Sequence, residues 1–178
     1  MIPPSVTQIL SPYSDFSRIP RAVLDAAAAR GTAVHDVCAT IARGLPIIGQ
    51  IEPEIIGYVN SFQRWFDLIV DDVLLVEDRL IDNEFSYHGE PDLLIKAKHG
   101  EVILVDNKTP VQLLKTWRLQ CSGYYNLAAK NIIKPDRTGS LRLSKDGGAA
   151  KMEYYDNSAA DFVLFLQALN LYRFFNTK

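Results

Sequence analysis

Asp92, Asp106 and Lys108, near the middle of the chain, are of the types and spacing that hold a divalent cation with an ammonium beside it. They flank Lys98-His99-Gly100, and a three-residue loop ending in a left-handed glycine is a common hairpin connection. With that loop, Ala97 faces Glu101, Lys96 faces Val102, Leu94 faces Leu104 and Asp92 faces Asp106. Cross-strand partners share a face with Cβ atoms about 4.5 to 5.5 Å apart, so two carboxylates placed there repel unless something cationic lies between them. A divalent metal ion, which takes oxygen ligands, suits that position. Period-two alternation carries Lys108 onto the same face, and a slip of one residue would remove Asp92 from it. The opposite face, Leu93, Ile95, Ala97, Ile103 and Val105, is apolar throughout, as where a sheet packs on helices. A plainer arrangement uses the same residues: two strand-end carboxylates in water, with Lys108 as a surface partner.

Gly89-Glu90-Pro91-Asp92, then Asp106-Asn107-Lys108-Thr109, then Gln120-Cys121-Ser122-Gly123-Tyr124, in that order, resembles the PD-(D/E)xK nuclease superfamily, specifically its RecB-like exonuclease branch. That branch also carries Gly-x-x-x-His on an early helix, matched by Gly31-Thr32-Ala33-Val34-His35, and a Gln-x-x-x-Tyr on the helix after the hairpin. Gln120 and Tyr124, four residues apart, share one helix face. The resemblance covers roughly residues 5 to 172 and is densest from Gly31 to Tyr125. It implies one nuclease domain over residues 1–178, of α/β (α+β) class, with a restriction-endonuclease-like core in which helices flank a mixed central sheet.

The resemblance implies that Asp92 and Asp106 hold one or two Mg²⁺ or Mn²⁺ ions against the scissile phosphate, with the backbone carbonyl of Asn107 as a further ligand. His35 would be an additional ligand, favouring manganese because imidazole suits transition metals. Lys108 would orient or deprotonate the attacking water, its amine lowered in pKa beside the metal. Gln120 and Tyr124 would contact the metal-site water or the DNA backbone, although an amphipathic helix surface accounts for their spacing equally well. Glu77 is a weaker candidate for the metal shell. His35-Asp36 does not build a His-Asp phosphohydrolase, because His88 and His99 fall on no helix with ligand spacing. Trp117 reads as core, and Cys38 and Cys121 as small buried hydrophobes. Two cysteines cannot supply the four-cysteine iron–sulfur cluster of some RecB-like nucleases, so no cluster is expected.

The activity so implied is that of a metal-dependent deoxyribonuclease, an exonuclease acting at DNA ends or single-stranded tails in recombination, repair or phage DNA processing. Three alternatives stay open: a nucleic-acid-binding module without turnover, a structure-specific endonuclease, and a hydrolase of small phosphoesters. No helicase segment, P-loop or zinc ribbon is present, so processivity would come from a homo-oligomer or a recombination partner protein.

Positioning these groups takes a helix over Arg21–Arg43, with a break at Arg30-Gly31-Thr32 where Thr32 caps a second segment. Another helix is expected from about Pro53 to Ile69, followed by strands Val73–Ile81, Phe85–Ala97 and Glu101–Lys108. An amphipathic helix over Gln112–Lys130, a short hairpin of Leu141–Leu143 with Lys151–Tyr155, and a helix over Ala159–Phe175 complete the pattern. At 178 residues, 48% hydrophobic and 22% charged, the composition is that of one folded domain and excludes disorder. No apolar run approaches the roughly 20 residues of a membrane span, and no secretory signal follows Met1, so a cytoplasmic setting is expected. A net charge of −2 argues against coating nucleic acid by bulk charge. The charge is nonetheless segregated: residues 46–89 hold two arginines against nine carboxylates, and residues 90–145 hold ten basic against five acidic residues. Lys115, Arg118, Lys130, Lys134, Arg137, Arg142 and Lys145 in the basic stretch could follow phosphates.

Overall fold

The apolar runs in the middle of the chain assemble into one sheet in the computed structural model, which describes residues 3–14, 16–109, 112–156 and 159–176. Helices α1 (Val6–Leu10), α2 (Arg21–Ala42) and α3 (Ile56–Ile69) come first. Strands β1 (Val70–Val76), β2 (Leu80–Asp82), β3 (Tyr87–Gly89), β4 (Leu93–Ala97) and β5 (Val102–Lys108) follow. Helix α4 (Lys115–Asn131), strands β6 (Arg137–Arg142) and β7 (Lys151–Tyr155), and helix α5 (Ala159–Asn176) close the order. The sheet runs β1-β4-β5-β6-β7, and β2 and β3 form a separate ribbon. Only β5 and β6 are parallel, with α4 as their crossover; the other pairs are antiparallel. Helices α2 and α3 cover one face, where Val34, Cys38 and Phe62 pack with Leu93, Ile95, Ile103 and Val105. Helices α1, α4 and α5 cover the other, where Ile9, Leu127 and Phe165 pack with Leu94 and Leu104. This is the mixed sheet flanked by helices that the sequence implies. Among the described residues, no helix is long and apolar enough to cross a membrane.

The hairpin has the expected register: Leu93 pairs with Val105, Leu94 with Leu104, Ile95 with Ile103 and Lys96 with Val102. Gly100, at φ +97°, takes the left-handed position of the loop, and Ala97 N–H donates to Glu101 O at 2.8 Å. The ladder begins at Leu93, so Asp92 stands one residue outside it.

Several boundaries differ from the sequence pattern. Helix α2 is unbroken through Gly31. A mid-helix glycine costs about 1 kcal/mol, less than burying Val34 and Cys38 on the same helix returns. Helix α3 starts at Ile56, behind a turn at Pro53–Ile55, and β6 starts four residues before the expected hairpin arm. The first two expected strands each divide, at residues 77–79, where Glu77 has φ +53°, and at residues 90–92; the turn between β2 and β3 is held by buried Asp82. Its carboxylate accepts from Glu84 N–H and Phe85 N–H and pairs with Asn126 and Lys130 of α4. Helix α1 was not foreseen, although Ser5 and Gln8 form the reciprocal capping box that marks such a start. Cys38, Cys121 and Trp117 are buried, as expected.

Candidate functional site

Three backbone segments meet at the end of the sheet: the exit of β1, the entry of β4 and the carboxyl end of β5. Glu77, at φ +53°, turns the chain out of β1 while its N–H donates to Asp92 O at 3.2 Å. Asp92 Oδ2 accepts from the Asn107 N–H at 2.6 Å, and Asp92 Oδ1 lies 3.1 Å from Nδ1 of His35, reaching across from α2. One ligand atom each from His35, Glu77 and Asp92 lie within 4.8 Å of one another, the one such grouping among the described residues. Arg43, capping the end of α2, donates to Val76 O at 3.0 Å and lies 3.5 Å from Glu77 Oε2. Glu77 thus joins the site more fully than its sequence suggested. The only signal was an acidic residue directly after the apolar run Val73–Val76.

Asp106, on the α4 side of β5, is 2% exposed. Its Oδ1 accepts from Gln120 Nε2 at 3.2 Å, and its Oδ2 lies 2.5 Å from Lys108 Nζ without an aligned donor. Gln120 Oε1 accepts from Lys108 Nζ at 3.0 Å, and Gln120 Nε2 reaches Tyr124 Oη at 3.4 Å. The amide therefore bridges carboxylate and ammonium with its donor and acceptor ends correctly matched. Lys108 Nζ lies 5.3 Å from the Trp117 ring centre. Gln120 and Tyr124 meet protein groups here, and His88 and His99 lie outside the cluster, His99 pairing with Glu101. The Asn107 side chain is buried at a position paired with Leu141, and Leu141 faces α2 and α3.

Burial works to lower the pKa of His35, but the charge of Asp92 and the hydrogen bond to it outweigh that and hold the imidazole up to about 9. Burial raises the Asp106 carboxyl, with Lys108 opposing and Asp92 adding. Burial would likewise lower Lys108, yet Asp106 and Asp92 hold its proton and raise it. Lys108 here answers two carboxylates; the lowered amine is an expectation for the metal-loaded site. Burial pushes the Tyr124 hydroxyl and Cys121 thiol up, so both stay neutral.

The donor set fits a hard divalent cation. The Asp92 and Glu77 carboxylates and the His35 imidazole form the grouping; Asp106 lies outside it, on the Lys108 and Gln120 side, with its Oδ2 lacking an aligned donor. Of the basic residues expected to follow phosphates, Lys130 is paired with Asp82 and Glu84, Arg118 with Asp161, and Arg137 with Glu101.

No protein-family model matches the chain, and no curated protein matches it. Among solved structures it is similar to LHK-Exo in complex with dAMP, with a TM-score of 0.50 and 11% identity over 96% of this chain and 85% of that one. At that identity the likeness is one of fold.

Proposed function

We propose that residues 1–178 form one nuclease domain, a metal-dependent deoxyribonuclease that hydrolyses DNA phosphodiester bonds from ends or single-stranded tails. The observation that carries this is a lysine ammonium bridged by one amide to a buried carboxylate, at the edge of a cluster of His35, Glu77 and Asp92. The fold likeness to a protein solved with dAMP, a deoxynucleotide, supports the substrate class.

Asp92, Asp106 and the Asn107 carbonyl would hold Mg²⁺ or Mn²⁺, with His35 and Glu77 completing the shell around Asp92. The metal, when bound, supplies Lewis-acid stabilisation of the phosphate and makes its water more acidic. Lys108 orients the attacking water through its ammonium and offsets negative charge on the phosphoryl oxygens as the 3′ oxygen leaves. Gln120 holds that ammonium on one side and Asp106 on the other, so neither needs to reorganise during the reaction. The neutral Tyr124 hydroxyl fixes the amide of Gln120 from below. Arg43 keeps Glu77 turned into the cluster.

The test is cleavage of end-labelled linear and closed-circular DNA, single- and double-stranded, in Mg²⁺, Mn²⁺ or EDTA, by wild type and Lys108→Ala. Metal-dependent loss of linear DNA by wild type alone, with circles surviving, is the expected result. If both proteins are inert on every substrate in every metal, the assignment fails and a binding module on this fold replaces it.

A further inference from the structure

Next to Lys108 lies a second feature that the catalytic cluster does not use. A cavity of about 520 Å³ opens at the carboxyl ends of β5 and β6, lined by Tyr58, Thr109, Arg142, Ser144, Lys145 and Lys151 among others. We infer that it is a subsite for the sugar-phosphate backbone of the DNA strand being cut, an inference that rests on the nuclease reading above.

Register places its cations. Lys108 pairs with Arg142 across the parallel β5–β6 ladder, and Arg142 pairs with Lys151 across β6–β7. Strand spacing puts the Lys151 Cα about 10 Å from that of Lys108, so three basic residues form a row across the sheet end that begins at the catalytic lysine. Leu143 N–H donates to Lys108 O at 2.9 Å, so the loop that follows β6 starts directly against the active strand.

That loop is held in place before any ligand arrives. Ser144 N–H donates at 3.0 Å to Oγ of Ser61, which is fully buried in α3. Gly147, at φ +77°, closes the turn with a bond to Ser144 O. Gly57 of α3 passes so close that a Cβ there would lie 1.8 Å from Lys145 O. Lys145 and Ser144 are therefore presented on a preorganised edge, which lowers the ordering cost of binding. The one carboxylate of the lining, exposed Asp146, accepts through Oδ1 from Ser144 Oγ and Gly148 N–H, which hold its pKa low. Arg142, Lys145 and Lys151 against the single carboxylate of Asp146 leave the lining net positive, which suits a polyanion, and the Tyr58 and Leu143 side chains suit the apolar face of a sugar. Lys130, Arg118 and Arg137, elsewhere in the basic stretch, are tied to carboxylates.

The experiment measures binding of a labelled single-stranded oligonucleotide in EDTA by fluorescence anisotropy, between about 50 and 200 mM salt. It compares wild type, Lys145→Ala/Lys151→Ala, and the control Lys96→Ala/Lys98→Ala, which removes equal charge from the hairpin away from the cavity. The cavity variant should bind more weakly and lose about 1.4 from the slope of log affinity against log salt, at about 0.7 per single-strand phosphate contact, while the control keeps the wild-type slope. An unchanged slope in the cavity variant, with wild type still binding and cleaving DNA, overturns the subsite alone. So does an equal loss in the control. If free dAMP is weakened by the same factor as the oligonucleotide, the cavity takes a mononucleotide and the strand subsite is overturned. A wild type that neither binds nor cleaves DNA removes both the subsite and the nuclease reading.

Discussion

Replacing Lys108 by Met removes the ammonium while keeping side-chain bulk beside Trp117. The Asp106 side chain, 3% exposed, then loses the cation lying 2.5 Å away. Removing one partner of a buried ion pair costs about 3–5 kcal/mol, which for a chain of this size lowers the thermal midpoint by about 6–20 °C. The cost has an escape, because Asp106 can take up a proton. Burial already raises its carboxyl, and losing Lys108 raises it further above the unfolded value of about 3.9. A group raised in the folded state gives its full stabilisation below the unfolded pKa and loses it as pH rises through the folded one. The deficit of Lys108→Met is therefore smallest near about pH 4 and grows toward about pH 8. Asp106→Asn added to Lys108→Met leaves no unpaired charge at this position and should recover most of the loss. Urea unfolding in EDTA at both pH values, followed by fluorescence of Trp65 and Trp117, reads all three proteins. A deficit independent of pH, or a double variant no better than the single, would refute the argument.

Cation binding should be linked to protons: Asp92 holds His35 protonated up to about 9, so Mn²⁺ must displace that proton. Affinity should rise about tenfold per pH unit from about pH 6 toward 9, calorimetry in two buffers should show proton release, and His35→Ala should flatten the rise. Glu77→Gln should weaken Mn²⁺ binding by about tenfold or more in the same titration. Gly89→Ala would place a Cβ 2.6 Å from Tyr124 Cε1, so overpacking should cost about 1–3 kcal/mol in urea unfolding and reduce cleavage by shifting Tyr124. Asp82→Asn should cost about 1–2 kcal/mol at neutral pH. Burial opposes, but the Phe85 N–H and Lys130 bonds prevail and hold Asp82 low, so its contribution is lost as pH falls through that lowered value, and an acid titration of stability should show wild type and variant converging.

What the sequence revealed of this molecule is what local chemistry decides. The loop Lys98-His99-Gly100 sets the hairpin register, and the register sets which side chains face α2 and which face α4. The features it hid depend on distant partners. Asp82 holds the β2–β3 turn through Asn126 and Lys130, 44 and 48 residues away. Glu77 reaches the cluster by a left-handed backbone turn that alternation of apolar residues does not signal. Continuity of α2 across Gly31 is decided by what the helix buries, and the raised proton affinity of Lys108 by a carboxylate two residues away pressed against it. The capping box of α1 was local and readable.

Helix α2 carries His35 and Arg43 eight residues apart, about 12 Å along one stripe. The first grips Asp92 at the mouth of β4, and the second grips the β1 exit at Val76 and Glu77. The helix is thereby a ruler with a hook at each end, and the two strands it measures are adjacent in the sheet. Any force that slides or bends this rod between its hooks must loosen an imidazole and a carboxylate together. One element thus sets the place of both the imidazole and the Glu77 carboxylate, so a substitution that shifts α2 should disturb the two together.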